Sequence, residues 1–202
     1  MEAQEIIRQL KIEEDIVAIY PYGSHIYGTA NEHSDHDYII VAKPAVLNSG
    51  AFRNNAVSNG DFTIQGTLYS RAGFTDAINN YEMPAMECLS LLPEQVILKK
   101  WPFKIQKWDE KQMVQKVIEK ASSSRHIADQ QAKTGYRDRA QKGMFHALRI
   151  LTFGSQLKEH QRIVDFSACN GLYKDMMAID EDEFDTRSYY GLFDELKKKL
   201  ES

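Results

Sequence analysis

The chain has 202 residues, of which 43% are hydrophobic and 27% charged, as is ordinary for one compact domain or a small domain with a helical extension. Its formal net charge of -4 excludes the strongly basic surface that dominates non-specific nucleic-acid binding. The cysteines Cys88 and Cys169 lack the spacing of a zinc site. No apolar run approaches the ~20 residues that cross a bilayer, and the first fifteen residues do not resemble a secretory signal. We therefore expect a cytoplasmic protein.

Short apolar runs separated by turn residues fill the first half of the chain. Residues 16–20 and 38–41 are β-branched runs that predict strands buried on both faces, and residues 61–69 alternate as a third strand. Between them, residues 43–60 are rich in Asn, Ser, Gly and Ala, and we predict a loop with one weak edge strand.

Helices are predicted on either side of these strands. An apolar stripe begins near Ile6, Ser70 is a predicted helix cap, and Pro84 suits the first turn of another helix.

The second half of the chain is almost free of proline and predicts long helices near 109–132, 136–159 and 181–200. The acidic run 180–183 suits the start of the last of these helices because of the helix dipole. We therefore predict an α+β fold in which a small mixed sheet flanked by helices precedes an all-helical part. The predicted domains are residues 1–105 for the core and 106–202 for a helical domain packed on it.

One stretch of the first half carries chemical information. Gly23-Ser24 ends an apolar strand, and Asp35-His36-Asp37 follows after ten intervening residues and leads into a second apolar strand. A glycine and a serine after a strand let the backbone approach a phosphate closely and direct amide donors at it. On a strand, Asp35 and Asp37 face one side and His36 faces the other.

Two carboxylates on one side can hold divalent metal ions. Mg²⁺ (or Mn²⁺) prefers hard oxygen ligands and also takes triphosphate oxygens, and paired metals stabilise the attacking and leaving oxygens of an in-line displacement. A third carboxylate would complete such a site. Asp61 opens the next predicted strand and is the candidate for a shared metal ligand or for the base that accepts the nucleophile's proton. His25 follows Ser24 and is a candidate phosphate contact.

This pattern resembles the signature of the DNA polymerase β-like nucleotidyltransferase superfamily. Its variant, Gly-Ser-His-x-Tyr-Gly and then Ser-Asp-x-Asp-Tyr, resembles the branch of predicted nucleotidyltransferases that are associated with RNA ligases in bacteria and phages. Residues 68–74, 80–89 and 142–151 are similar to later segments of that branch, so the resemblance covers most of the chain.

The resemblance implies a nucleotidyltransferase core in which Gly23 and Ser24 follow the first strand and Asp35 and Asp37 bind Mg²⁺. It implies transfer of a nucleoside monophosphate from an NTP such as ATP to the hydroxyl of an RNA or tRNA end, a protein or a small molecule, with release of pyrophosphate, as in RNA repair. Some relatives have lost the third carboxylate and bind nucleotides without turning them over. Asp61 therefore decides between a catalyst and a non-catalytic nucleotide-binding regulatory module. A toxin- or antitoxin-type nucleotidyltransferase is a third interpretation.

A polar helix face in the second half has two interpretations. Arg139, Lys142, His146 and Arg149 have the spacing of one face of a helix. Such a face is usually solvated. The resemblance at Lys142 and Arg149 favours a cationic strip that binds the triphosphate or an acceptor's phosphates, with His146 as a hydrogen-bond donor.

Glu87 lies on a predicted helix among apolar residues. It is either exposed by rotation of the helix or buried and paired, and if buried we expect it to fix an active-site base or arginine.

Overall fold

A computed structural model describes residues 1–43, 52–58 and 63–202. The helices in this part of the chain are α1 (Ala3–Gln9), α2 (Ser24–Tyr27), α3 (Arg71–Asn79), α4 (Met83–Ser90), α5 (Glu110–Lys133), α6 (Arg137–His160), α7 (Asn170–Met177) and α8 (Tyr190–Glu201), with 3₁₀ turns at Pro93–Gln95 and Thr186–Tyr189. The strands are β1 (Ile16–Tyr22), β2 (His36–Ala42), β3 (Phe52–Ser58), β4 (Thr63–Ser70) and β5 (Leu98–Lys99).

The chain divides into two compact units, Met1–Trp108 and Asp109–Ser202. The first unit holds a mixed sheet with the strand order β3-β4-β2-β1-β5. Strand β1 is antiparallel to β2 and β5, and β4 is parallel to β2 and antiparallel to β3. The predicted class is thereby confirmed: a mixed sheet flanked by helices, followed by an all-helical part.

The strand directions bring one end of each of three strands to the same edge of the sheet. Because β1 runs against β2 while β4 runs with it, the end of β1 and the beginnings of β2 and β4 lie at the same edge of the sheet. This edge carries Gly23 and Ser24, which follow β1, and Asp35 and Asp37 at the start of β2.

Apolar side chains anchor helices on the sheet. Ile6 of α1 and Leu10, which follows the helix, join a buried cluster with Ile19, Ile40 and Leu68. Burying each such side chain contributes about 1.5–3 kcal/mol.

A second cluster, which is aromatic, packs around Phe74 of α3. Its ring stacks on Tyr20 with centroids 5.7 Å apart and meets Phe103 edge-on at 5.0 Å. Ser70 caps α3, as predicted, by accepting a hydrogen bond of 2.9 Å from the Gly73 amide.

The second unit is built on the antiparallel pair α5 and α6. The apolar face of α6 is buried throughout: Ala140, Met144, Ala147, Leu148 and Leu151. A Cβ on Gly143 would lie 3.1 Å from the Cβ of Ala128, so the two helices approach closely where α6 carries glycine.

The predicted start of the last helix is wrong. Helix α8 begins at Tyr190, and a 3₁₀ turn precedes it. The acidic side chains before it serve turns instead: Asp180 accepts a hydrogen bond from the Asp182 amide at 2.9 Å, and Asp185 accepts one from the Arg187 amide at 3.0 Å. Helix α7 was not predicted. No helix in the described part of the chain is long and apolar enough to cross a membrane.

We predict that Gly154→Ala destabilises the protein. Alanine favours a helix by about 1 kcal/mol over glycine. Here, however, its methyl group would collide with Val117 and lie 3.2 Å from Leu200, and overpacking of this kind costs about 1–3 kcal/mol. Urea unfolding should show a lower free energy of unfolding.

The matched control is Gly171→Ala in α7, where an added Cβ meets nothing within 4 Å. It should leave stability unchanged or raise it slightly. Equal effects of the two substitutions would contradict the close approach of α5 and α6.

Candidate functional site

A tight turn follows β1. Gly23 has φ 76° and ψ -151°, and Gly28 closes the short helix α2 with φ 73°. Positive φ strongly favours glycine. Within the described residues the Ser24 and His25 amides donate no hydrogen bond, whereas those of Ile26 and Tyr27 donate to the Gly23 carbonyl. Two amide donors therefore remain available at this turn.

The Asp37 carboxylate lies directly against Gly23. Tyr22 and Asp37 are partners in the β1–β2 ladder, which places the next residue, Gly23, beside the aspartate. A Cβ on Gly23 would collide with Asp37 Oδ2 and lie 3.1 Å from its Cγ. The glycine turn and the aspartate motif thus form one site, and absence of a side chain at residue 23 makes room for the carboxylate.

Asp35 is held by the neighbouring strand β4. Its Oδ1 accepts a hydrogen bond from the Thr63 amide at 3.0 Å, and its Oδ2 accepts one from Gln65 Nε2 at 3.0 Å. Each carboxylate oxygen keeps a second lone pair for a further ligand.

Asp37 has a different environment. It is half-buried and accepts no hydrogen bond from the described residues. Burial and then the charge of Asp35 raise the pKa of Asp37, and with the opposing effect of His25 the result is about 6. A carboxylate that lacks donors and has a like-charged neighbour is a favourable partner for a cation.

Two histidines stack beside the pair. The rings of His25 and His36 are 4.3 Å apart and nearly parallel, at 7°. Burial and the charge of His25 lower the pKa of His36. Among the described residues, no group of three His, Cys, Asp or Glu side chains gathers to hold a metal ion.

Glu87 is buried, which settles the alternatives left open for it. It is 2% exposed and accepts a 2.6 Å hydrogen bond from the Tyr27 hydroxyl. Tyr27 is the last residue of α2, so this bond ties the helix after Gly23 to α4. The partner in this bond is a tyrosine, which no local sequence signal indicates, and the contact of Glu87 with an active-site base or arginine stays a prediction.

A cavity of about 240 Å³ adjoins Asp37. Its lining includes Asp37, Tyr22, Gln65 and Thr67. Gln65 was not predicted as a site residue, although its place in the alternation of residues 61–69, two residues after Thr63, is a signal that could have found it.

The remaining predicted residues stand elsewhere. Asp61 lies outside the described residues. Lys142, His146 and Arg149 belong to α6 in the second unit, and their contact with a triphosphate stays a prediction.

The structure sets the charge of His146. Arg149 Nη2 lies 2.9 Å from His146 Nδ1, and because a guanidinium only donates, Nδ1 accepts and the ring proton is on Nε2. Burial, with the charges of Arg149 and Lys120, lowers the pKa of His146 to about 3. His146 is thus neutral at pH 7, and it can donate only from Nε2.

We predict that Gly23→Ala weakens Mn²⁺ binding at least about tenfold, because the methyl group displaces the Asp37 carboxylate and metal ligands tolerate little displacement. Isothermal titration calorimetry measures the effect.

Gly135→Ala is the matched control, because Gly135 also has positive φ (85°) but an added Cβ there meets nothing within 4 Å. Both variants should lose about 1–3 kcal/mol through backbone strain, and only the first should lose metal affinity. Unchanged affinity in Gly23→Ala would count against the shared site.

We also predict that Asp37→Asn stabilises the metal-free protein at pH 7.5 by an amount on the order of 1 kcal/mol. The folded-state pKa of Asp37, about 6, exceeds that of an unfolded aspartate, so the folded state holds the proton more tightly. The stability that this proton provides is present below about pH 4 and is lost as the pH rises through 6.

Urea unfolding in a chelating buffer at pH 4 and pH 7.5 measures this difference. Asp76→Asn, at an exposed position on α3, is the control and should show no such pH dependence. A gain for Asp37→Asn of the same size at both pH values would be the contrary result.

No protein-family model matches the chain, and no curated protein matches it. Among solved structures, it is similar to a nucleotidyltransferase-like protein from Exiguobacterium sibiricum 255-15. The two share 13% sequence identity with a TM-score of 0.38, over 98% of this chain and 73% of that one. A likeness at this level does not establish a function, which has to come from the residues of the site.

Proposed function

We propose that this protein is a metal-dependent nucleotidyltransferase. The observation that carries the proposal is the contact between the Gly23 turn and the Asp37 carboxylate, with Asp35 two residues away, directly before β2. It supports a site in which a phosphate-binding turn and two carboxylates serve the same substrate.

Each group has a role in the proposed reaction. The acceptor hydroxyl oxygen forms a bond to the α-phosphorus of the NTP, the bond from that phosphorus to the bridging oxygen of the β-phosphate breaks, and pyrophosphate leaves. The amides of Ser24 and His25 bind phosphate oxygens at the turn. Asp61 is proposed to accept the proton of the acceptor hydroxyl.

The donor set fits Mg²⁺ or Mn²⁺. Asp35 and Asp37 offer carboxylate oxygens, the ligands that hard divalent cations prefer, and Asp37 lies beside Gly23 without a hydrogen bond from the described residues. When bound, the metal neutralises charge on the phosphate oxygens.

A second function, nucleotide binding without turnover, is favoured by one observation. Only two carboxylates come together at this edge within the described residues. Such a protein would bind an NTP with the same turn and aspartates but release no pyrophosphate.

Transfer of label from α-³²P-NTPs tests the first function. The wild type is incubated with Mg²⁺ and each NTP, alone, with tRNA and with a protein extract, and both labelled acceptor and pyrophosphate are measured. Asp35→Asn and Asp37→Asn should lower the rate by about 100-fold or more, because the metal supplies several kcal/mol of transition-state stabilisation.

Asp76→Asn is the control and should keep the wild-type rate. Full activity in either variant of the aspartate pair would contradict the enzyme assignment. Nucleotide binding without label transfer or pyrophosphate release would favour the second function.

A further inference from the structure

Gln65 stands beside the aspartate pair on the adjacent strand. In the parallel ladder between β2 and β4, its register partner is Asp37. Paired positions on neighbouring strands present their side chains on one face of the sheet. Gln65 therefore occupies the position of β4 that lies beside Asp37.

The orientation of its side-chain amide follows from its partner. Gln65 Nε2 lies 3.0 Å from Asp35 Oδ2. An ionised carboxylate only accepts hydrogen bonds, so the nitrogen donates to Asp35 and the oxygen Oε1 remains available to another partner. Within the described residues Oε1 accepts no hydrogen bond, and Gln65 lines the cavity that Asp37 also lines.

We propose that Gln65 is the third group of the metal site, holding Asp35 in place and offering Oε1 as a neutral oxygen ligand. This inference rests on the proposed function, and it gives β4 a contribution to the site that is an amide rather than a carboxylate. Gln65 acts on Asp35 as a positioning residue and on the cation as a ligand.

The charge of the site follows from this assignment. Two carboxylates and one amide carry a formal charge of -2, one less than three carboxylates would. Affinity for a divalent cation falls with fewer charged ligands. The triphosphate supplies further negative oxygens, so the cation binds more tightly together with an NTP than alone.

A titration with Mn²⁺ in the absence of nucleotide tests the assignment. Electron paramagnetic resonance measures the concentration of the free ion at each step. Gln65→Ala should weaken binding by about tenfold, because it removes one ligand and frees Asp35. Gln65→Glu should tighten binding by about tenfold, because it adds a charge next to the cation. A general folding defect would weaken binding in both variants, so the opposite signs identify a direct role.

Three further variants complete the experiment. Gln130→Glu, at an exposed position of α5, is the matched control for added charge and should bind Mn²⁺ as the wild type does. Asp61→Asn should also keep wild-type affinity if Gln65 is the third group. Asp35→Asn should abolish measurable binding.

The outcomes separate the two proposals. Wild-type affinity in Gln65→Ala, or weakened binding in Gln65→Glu, overturns the role of Gln65. Weaker binding in Asp61→Asn with wild-type binding in Gln65→Ala assigns the third position to Asp61 instead. Wild-type binding in Asp35→Asn contradicts the metal site on which the proposed function rests.

Discussion

The candidate site depends on one contact, in which the Asp37 carboxylate occupies the space that a side chain at residue 23 would fill. The antiparallel pairing of β1 and β2 sets this contact, because Tyr22 and Asp37 are ladder partners. Only glycine combines the required positive φ with the missing Cβ. The Gly23 turn, which we propose binds phosphate, and the carboxylate therefore cannot be separated without breaking the strand pairing.

The two aspartates are held in different ways. Asp35 accepts two hydrogen bonds from β4, whereas Asp37 is half-buried and accepts none from the described residues. A half-buried carboxylate beside a like charge is costly without a counter-charge, and the raised pKa of Asp37 reflects that cost. A bound cation would remove this penalty, and the removal would make the free energy of metal binding more favourable.

Much of this site was predictable from local sequence. The alternation of strand residues predicts Asp35 and Asp37 on one side and His36 on the other, and Gly23-Ser24 after an apolar strand predicts a tight turn at that point. The capping of α3 by Ser70 was equally readable from the residues around it.

What escaped prediction depends on long-range packing or on competing local preferences. The bond between Glu87 and Tyr27 joins residues 60 positions apart, and the register of Gln65 against Asp37 is set by a parallel pairing of distant strands. The acidic residues at 180–183 suit a helix start electrostatically, but the helix begins only at Tyr190. Asp180 and Asp185 instead accept hydrogen bonds from backbone amides in turns. Short acidic side chains satisfy nearby backbone amides in either arrangement, so composition alone does not choose between them.

The most direct test of the central claim is a crystal structure with Mn²⁺ and a non-hydrolysable ATP analogue, with anomalous scattering used to locate the metal. The account predicts an Mn²⁺ peak within coordination distance of both Asp35 and Asp37, with phosphate oxygens at the amides that follow Gly23. Mn²⁺ bound away from both carboxylates, or a triphosphate bound away from the Gly23 turn, would contradict it.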